Sequence, residues 1–321
     1  MGTMLRVAVW GLPEDSAAVA LRAARAEVTR LDSLLSNYRA DSDVSRVNEA
    51  AGSGAWIEIA PATAEALRLS LFYAARTEGA FDPTVGPLVD VWGFYREQGA
   101  MPSQSALDSA RALVGWDDVE VEWYPGRVRL PRPGMALDFG AIGKGLAVDW
   151  ALAAARGAGA RSAMVDLGGN IGVSGEAPGG GDWPLGLRHP RNPATVFALI
   201  DVPDGSSIAT SGDYERYFVH EGVRYAHIVD PRSGWPVQGV ASVSVLAGSG
   251  SESDGLSTSL FVLGVDRGCA FLEGRQGVAA VWVRAPSGND ETLRVVVGGP
   301  ESARIQVAEG IAVTHCPDRI R

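Results

Sequence analysis

The chain has 321 residues, 46% of them hydrophobic and 21% charged, and this composition excludes a disordered, collagen-like or coiled-coil protein. Its 28 basic and 38 acidic residues leave a net charge of −10, so a nucleic-acid backbone would meet net repulsion and we expect no nucleic-acid partner. No run approaches the roughly 18 unbroken apolar residues of a membrane-spanning helix, and we expect no transmembrane segment.

The first third of the chain is predicted to be mainly helical, after an N-terminal strand over residues 1–10. Pro13 and the polar residues after it form a helix start, and apolar residues then recur at helical spacing as far as Leu35. Further helices are predicted over 61–78 and 103–114, because each segment has apolar residues at helical spacing and is followed by a glycine.

From residue 119 the pattern becomes strand-like. Strict alternation over 119–123, a Pro125-Gly126 turn and a short run over 127–130 predict a β-hairpin. Later strands are predicted over 162–167, 196–202, 216–219, 224–229, 241–246, 278–283 and 292–297.

Two helices interrupt these strands, one from 143–145 to about 156 and one from near Asp254 to Gly264. This order predicts an α+β fold in which helices are layered on a mainly antiparallel sheet. We expect one domain over 1–321, helix-rich to about residue 117 and strand-rich from about 118.

The cysteine and histidine content limits metal chemistry. Cys269 and Cys316 are too few and too isolated for a disulfide framework or a zinc site, and there are four histidines. We therefore expect any bound metal to have oxygen ligands.

Residues 134–145 are predicted to form an apolar strand, a glycine-rich turn and the start of a helix, in that order. Backbone N–H groups and the helix dipole would both point at that turn, which makes it a candidate anion site. The segment is not a Walker A loop, because Asp138 occupies the first required glycine and Gly145 the required Ser or Thr. The alternative is a tight turn with a solvated Lys144.

Asp254 and Thr258 are four residues apart at a predicted helix start, so their side chains lie one turn apart on one face. A carboxylate and a hydroxyl are hard oxygen ligands, and Mg²⁺ commonly takes one or two protein carboxylates and completes its shell with water and substrate phosphates. The alternative is that Asp254 caps its own helix and Thr258 is buried against it.

His227 lies near the end of a predicted strand, where loops commonly build sites. A single histidine in a strand can equally be structural. Serine hydrolase chemistry has little support, because no Gly-x-Ser-x-Gly motif stands between a strand and a helix.

Several strings of the chain resemble one family when taken in order. They are Met1-Gly2-Thr3, Ser36-Asn37-Tyr38, Ala80-Phe81-Asp82-Pro83, Asp138 to Gly145, Thr210 to Arg216, His227 to Pro231 and Asp254 to Thr258. In this order, from Met1 to about Gly264, the chain is similar to the ApbE-type FAD:protein FMN transferases. The resemblance implies the T-fold-like architecture of that family and Mg²⁺-dependent transfer of FMN from FAD to a threonine or serine hydroxyl of an acceptor protein, with AMP released.

The same resemblance implies roles for individual residues. FAD would contact Met1, Tyr38, Ala80, Phe81, Asp82, Asp138, Lys144 and Ile228. The metal would contact Asp254, Ser257, Thr258 and the backbone oxygen of Ala141. Tyr38 and Phe81 are candidates to line the isoalloxazine pocket, Asp254 would support catalysis through the metal, and His227 would act as general base or orient a phosphate.

The chain departs from the family pattern at three places. Ala141 and Gly143 stand where the family commonly has Gly and Ala, Ser253 and Gly255 stand where it often has Ala, and Ala226 replaces the first of a frequent histidine pair. The first two departures exchange one small residue for another, and the third leaves His227 as the histidine of that strand.

Two other activities stay open on the sequence. One is an FAD pyrophosphatase that uses water in place of a protein hydroxyl, and the other is a carrier that binds FAD without cleaving it. The candidate metal ligands Asp254 and Thr258 argue against a carrier, because binding FAD without cleaving it requires a metal less than cleavage does. The chain as given favours the cytoplasm, and the bacterial cell envelope or periplasm is the alternative. The acceptor protein and the oligomeric state do not follow from the sequence.

Overall fold

The computed structural model describes residues 2–96, 99–286 and 292–317, so Met1 lies outside the described residues. The chain forms two compact units. The first contains residues 29–143 and 215–237, and the second contains 2–28, 144–214 and the described part of 238–321. The assignment of a single domain over 1–321 stays a prediction.

The helices and strands alternate in blocks along the chain. The helices are α1 Glu14–Leu35, α2 Asp43–Glu49, α3 Pro61–Arg76, α4 Gly86–Val91, α5 Gln104–Arg111, α6 Gly143–Gly157 and α7 Gly250–Leu272. The strands are β1 Leu5–Trp10, β2 Ile57–Glu58, β3 Glu120–Glu122, β4 Arg127–Arg129, β5 Ser162–Leu167, β6 Asn170–Ser174, β7 Trp183–His189, β8 Asn192–Val202, β9 Ser207–Gly212, β10 Tyr217–His220, β11 Val223–Ala226, β12 Val240–Ala247, β13 Ala279–Arg284, β14 Arg294–Gly298, β15 Ile305–Val307 and β16 Ala312–His315.

The second unit is built on an eight-stranded sheet of order β1-β5-β6-β9-β12-β13-β14-β16. Its neighbouring strands are antiparallel, except for the parallel pair β14–β16. Helix α7 packs on β12 and β9 of this sheet, and Val148 and Leu152 of α6 lie against Gly172 of β6. A three-stranded sheet of order β15-β8-β7 shares an apolar core with strands of the larger sheet. The α+β fold with a mainly antiparallel sheet is confirmed.

Helix α7 is predominantly buried because it lies on the central strands. Its apolar positions Leu256 and Leu260 are fully buried, as is every residue of β12 beneath it. Gly264 interrupts the helical backbone with a φ of 71°. A residue with a side chain would adopt this positive φ only with strain.

By length and composition α7 is also able to cross a membrane, and 56% of its most apolar window is buried. A core helix meets the same criterion, so the finding is weak evidence. The absence of a transmembrane segment therefore stays a prediction.

The first unit combines short helices with two small sheets, β10-β11 and β2-β4-β3. Trp92 follows α4 and is fully buried, and its indole N–H donates to the Gly234 carbonyl at 2.8 Å. Phe218 of β10 and Tyr225 of β11 lie against Trp92, with ring centroids 6.2 and 5.7 Å away. This aromatic packing fixes the base of the β10–β11 hairpin.

Most predicted elements are present with shifted ends, but the apolar strand predicted before the glycine turn is wrong. Residues 135–139 pair with no strand, although Met135, Leu137 and Phe139 are buried alternately as in one. The side-chain amide of Asn48 takes the place of a partner strand: its Oδ1 accepts from Leu137 N–H at 2.7 Å and its Nδ2 donates to Leu137 O at 3.0 Å.

The two cysteines form a disulfide between the end of α7 and the residue after β16. A single bond between two isolated cysteines was not predicted from the sequence. Forty-seven positions separate Cys269 from Cys316, and no spacing pattern connects two cysteines so far apart.

Candidate active site

In the second unit the first turns of α6 and α7 lie in backbone contact. A Cβ added to Gly145 would overlap the carbonyl oxygen of Gly250, and a Cβ added to Gly250 would overlap the carbonyl oxygen of Gly145. Glycine at both positions is therefore a packing requirement, and it brings the two helix starts together.

Asp254 lies beside the start of α6. It is 2% exposed, its Oδ2 accepts a hydrogen bond of 2.8 Å from Gly145 N–H, and its Oδ1 is 3.6 Å from Lys144 Nζ. Helix α7 begins four residues before Asp254, with Ser249 as its N-cap. Asp254 therefore caps the neighbouring helix, and the alternative that it caps only its own helix is wrong.

A second carboxylate, which was not predicted from the sequence, belongs to α6 and caps the start of α7. Asp149 of α6 accepts from Gly250 N–H at 2.5 Å and from Ser251 N–H at 2.9 Å. Burial raises the pKa of Asp149, while the hydrogen bonds from Ser251 and Gly250 oppose that rise.

The predicted metal-binding hydroxyls are adjacent to one another. Ser257 is fully buried and donates to the Asp254 carbonyl at 2.9 Å. Ser211 of β9 has its Oγ 2.9 Å from Ser257 Oγ and 3.1 Å from Thr258 Oγ1. Thr258 is partly exposed, and Ser211 was not among the predicted metal ligands.

The glycine turn is less open to an anion than predicted. Gly140 N–H donates to Asp138 Oδ1 at 2.6 Å, and the N–H groups of Ile142 and Gly143 donate to Phe139 O. Gly145 N–H is bonded to Asp254. Because these four N–H groups have partners, the prediction of a bare N–H site is wrong for them.

In the first unit Asp138 and Tyr38 meet through Tyr95, another residue that the sequence analysis missed. Tyr95 donates its hydroxyl to Asp138 Oδ2, and its ring lies edge-on to Tyr38 with centroids 6.1 Å apart. Burial, followed by the charge of Asp138, raises the pKa of Tyr95 well above its ordinary value, so its hydroxyl stays protonated and remains a donor.

Residues 80–82 are buried in the loop after α3. Asp82 Oδ1 accepts from the backbone and hydroxyl of Thr84 at 2.7 and 2.6 Å, and its Oδ2 accepts from Trp116 N–H at 3.3 Å. Burial raises the pKa of Asp82 against these bonds. Phe81 packs on Tyr73 with centroids 5.8 Å apart and is 3% exposed, so its ring is not open to a ligand.

His227 follows β11 and lies against Phe94, with ring centroids 6.5 Å apart. Its Nδ1 is 3.2 Å from the Arg216 carbonyl, which only accepts hydrogen bonds, so Nδ1 carries the proton and Nε2 the basic lone pair. Arg216 Nη1 donates to the Tyr38 hydroxyl at 2.7 Å. Ile228, the next residue along the chain, is buried.

The predicted residues thus fall into groups that belong to different units. Lys144, Asp254, Ser257 and Thr258 are brought together in the second unit, and Tyr38, Asp138 and His227 are linked through Tyr95 and Arg216 in the first. Ala141 lies in the turn, three residues before Lys144, and is partly exposed. Met1 lies outside the described residues.

The donor set around Asp254 consists of oxygens. Among residues 2–96, 99–286 and 292–317, no group of three or more His, Cys, Asp or Glu side chains is arranged to hold a metal ion. One carboxylate with neighbouring hydroxyls suits Mg²⁺, which takes its remaining ligands from water and substrate phosphates.

Comparison with known proteins gives a consistent result. Residues 1–282 match the ApbE family. The chain is 34% identical over 317 residues to an FAD:protein FMN transferase of Treponema pallidum, covering 92% of this chain and 87% of the relative. It is 35% identical over 263 residues to an FAD:protein FMN transferase of Vibrio cholerae, covering 80% of this chain and 77% of the relative.

Solved structures show the same similarity. The crystal structure of the ApbE protein of Thermotoga maritima matches with a TM-score of 0.81 at 32% identity, over 88% of this chain and 91% of that one. The flavin transferase ApbE of Vibrio cholerae matches with a TM-score of 0.81 at 30% identity, over 95% and 96%.

Proposed function

The chain belongs to the ApbE family of FAD:protein FMN transferases, and we propose that it transfers FMN to a threonine or serine hydroxyl of an acceptor protein, with Mg²⁺ bound and AMP released. The observation that carries this proposal is the 3.6 Å separation of Lys144 Nζ and Asp254 Oδ1 at the start of α6. This pairing places a cation for phosphate beside a carboxylate for a divalent metal.

The reaction is a displacement at the phosphorus of the FMN half of FAD. The acceptor oxygen forms a bond to that phosphorus, the bond from the phosphorus to the bridging oxygen breaks, and AMP leaves with the electron pair. The hydroxyl proton passes to a base. We assign that role to Nε2 of His227, because Nδ1 is committed to the Arg216 carbonyl.

The metal site is assigned to Asp254, Thr258, Ser257 and the backbone oxygen of Ala141. When bound, Mg²⁺ neutralises negative charge that develops on the phosphate oxygens. The orientation of Asp254 is supported by Gly145 N–H, which occupies Oδ2. Thr258 is partly exposed, whereas the hydroxyl of Ser257 is already bonded within the helix.

Lys144 is assigned to the FAD phosphates as a point charge. Its ammonium neutralises a phosphate oxygen and also lies near the carboxylate of Asp254. Because the neighbouring N–H groups have intramolecular partners, this side chain takes over the role that the glycine turn was predicted to fill.

The remaining FAD contacts are assigned to residues of the first unit. Tyr38 is 59% exposed and offers its ring for stacking on the isoalloxazine. Asp138 accepts from Tyr95 and Gly140, so its position is fixed before a ligand arrives. Ala80, Phe81, Asp82 and Ile228 complete the assignment, together with Met1.

We also propose an oxidising compartment, the cell envelope or periplasm, in place of the cytoplasm that the sequence favoured. The disulfide between Cys269 and Cys316 supports this choice, because structural disulfides persist in oxidising compartments and are rare in the cytosol.

The proposal is tested with FAD and Mg²⁺ in the presence and absence of a flavoprotein acceptor that carries a target threonine. AMP is followed by chromatography, and phosphate-linked flavin is followed as fluorescence of the denatured acceptor. The matched control is the same acceptor with that threonine replaced by alanine.

We expect one AMP for each flavin attached, and AMP release only with the threonine-bearing acceptor. AMP released equally without acceptor would identify a pyrophosphatase instead. FAD binding without AMP under every condition would identify a carrier. Equal activity after complete removal of Mg²⁺ with a chelator would contradict the metal assignment.

A further inference from the structure

Asp149 is a carboxylate at the contact between α6 and α7 that the proposed reaction does not use. It lies one turn after Gly145 on α6, and its two oxygens accept from the first two N–H groups of α7, Gly250 at 2.5 Å and Ser251 at 2.9 Å. Helix α7 already has a cap of its own, since Ser249 Oγ accepts from Glu252 N–H at 3.1 Å. Because Ser249 already caps α7, capping of α7 does not by itself explain why a carboxylate of α6 bonds its first N–H groups.

The bond returned by α7 makes the arrangement reciprocal. Asp254 lies one turn after Gly250 on α7, and its Oδ2 accepts from Gly145 N–H at 2.8 Å. Each helix thus presents a glycine followed four residues later by an aspartate, and each aspartate bonds the start of the other helix. The two glycines are in backbone contact between these bonds.

This reciprocal pair fixes the position of Asp254 relative to Lys144. Lys144 precedes Gly145 in the first turn of α6, and Asp254 belongs to the first turns of α7, so their 3.6 Å separation depends on how the two helix starts are held together. Loss of Asp149 removes its hydrogen bonds from the Gly250 and Ser251 N–H groups, whereas the bond from Gly145 N–H to Asp254 stays in place.

We propose that Asp149 is a positioning residue for the metal and phosphate site, which holds the start of α7 so that Asp254 meets Mg²⁺ and the FAD phosphates beside Lys144. This inference rests on the proposed function. Asp149 acts through Gly250 and Ser251, and it touches neither FAD nor the metal.

The test compares Asp149→Ala with Ser249→Ala. Both variants remove a cap from α7, but only Asp149→Ala loosens α7 from α6. The readouts are the melting temperature of each variant, its affinity for FAD by fluorescence quenching, and the affinity of its FAD complex for Mg²⁺ by calorimetry. Asp149→Asn is the conservative variant, and Asp254→Asn reports on the metal site itself.

We expect Asp149→Ala to weaken Mg²⁺ binding at least about tenfold, which corresponds to about 1.4 kcal/mol. Ser249→Ala should lower the melting temperature but keep Mg²⁺ affinity within about twofold of the unaltered protein. Asp149→Asn should recover part of the Mg²⁺ affinity, because its amide oxygen still accepts one of the two N–H bonds. It also serves as the test variant if Asp149→Ala does not fold.

Equal Mg²⁺ affinity in the Asp149 variants and Ser249→Ala would overturn the inference and leave Asp149 as a simple cap. If that result came with a loss of Mg²⁺ binding in Asp254→Asn, the proposed function would stand. Unchanged Mg²⁺ binding in Asp254→Asn would overturn the metal assignment, and the role of Asp149 with it.

Discussion

The backbone N–H of Gly145 donates a hydrogen bond of 2.8 Å to Oδ2 of Asp254, 109 positions further along the chain. One oxygen of the carboxylate is thereby used to hold the helix start, and the other lies 3.6 Å from Lys144 Nζ. Oδ2 of Asp254 therefore has a structural role, and Oδ1 is the oxygen to which the proposed metal role is assigned. A useful mutation keeps the structural hydrogen bond and removes the charge.

Replacement of Asp254 by asparagine separates the structural hydrogen bond from the proposed metal binding. The amide oxygen can still accept from Gly145 N–H, so folding and FAD binding should survive. The loss of charge should lower the rate of AMP release at least about 100-fold, which corresponds to about 2.7 kcal/mol in the barrier. Steady-state kinetics at saturating Mg²⁺ measures this, and a rate within about threefold of the unaltered enzyme, about 0.7 kcal/mol, would falsify the assignment.

Replacement of Gly145 by alanine tests the contact between the two helix starts. The new Cβ would overlap the Gly250 carbonyl and press on Asp254 Cβ, so we expect a loss of stability at or above the upper end of the range of about 1–3 kcal/mol seen for overpacking, together with a loss of activity.

Gly157→Ala is the matched control for that variant. Gly157 belongs to the same helix and has nothing within 4 Å of an added Cβ, so alanine there should be neutral or stabilising by up to about 1 kcal/mol. Urea unfolding of both variants measures the difference. Equal stabilities would mean that the helix starts are not in close contact.

The sequence predicted the elements that have a strong repeating pattern. Helices α1 and α6 begin and end within one or two residues of their predicted bounds, because burial of one face imposes a period that the sequence itself carries. Strand β12 is also within one residue of its predicted bounds, although it is buried on both faces, because its valines favour a strand. Asp254 and Thr258 were placed on one helical face for the same reason.

Contacts between distant positions left no such pattern. Tyr95 bonds Asp138 43 positions away, and Asn48 replaces a strand partner for Leu137 89 positions away. The spacing of residues within one segment does not predict contacts between segments so far apart in the sequence. Asp149 did carry a signal, because the same Gly-x-x-x-Asp spacing occurs at 145–149 and 250–254, but only the fold shows that the two copies face each other.

The raised pKa of Asp82 predicts the sign of a pH effect on stability. The folded protein holds a proton there at pH values where the unfolded chain, with its ordinary pKa of 3.8, has lost it. The stabilising contribution is therefore fully present below the unfolded pKa and declines as the pH rises through the folded pKa. The unfolding free energy of the unaltered protein minus that of Asp82→Asn should fall over this acidic range.

Glu65 provides a control of opposite sign, because its hydrogen bond to Arg68 lowers its pKa from an ordinary value of 4.5. The unfolding free energy of the unaltered protein minus that of Glu65→Gln should rise with pH over the same range. Urea titrations at a series of pH values give both differences. A difference for Asp82→Asn that rises with pH would show that burial does not dominate at this carboxyl.

The disulfide between Cys269 and Cys316 should stabilise the second unit. It closes a loop of 47 positions, for which the loss of chain entropy in the unfolded state predicts about 2–4 kcal/mol. Reduction should lower the unfolding free energy by that amount and release two titratable thiols. Cys316→Ala should be equally destabilised and unaffected by reductant. Two free thiols in protein made under oxidising conditions would contradict the assignment.

Replacement of His227 by glutamine tests proton transfer. Glutamine retains a hydrogen-bonding side chain of similar reach but cannot accept a proton, so a general-base role predicts a rate lower by about 10²–10⁴-fold with FAD affinity retained. The acidic limb of the pH–rate profile should disappear with it, because protonation of a general base at low pH prevents it from accepting the hydroxyl proton.

His220→Gln is the control for that experiment, because His220 is exposed on β10 of the same hairpin and has no assigned role. Its rate and its pH profile should match those of the unaltered enzyme. If His227→Gln lost melting temperature and activity together, or kept an unchanged pH–rate profile, the contacts of His227 with Arg216 and Phe94 would be its whole function. Activation of the acceptor hydroxyl would then belong to the group held by Asp254 and Thr258.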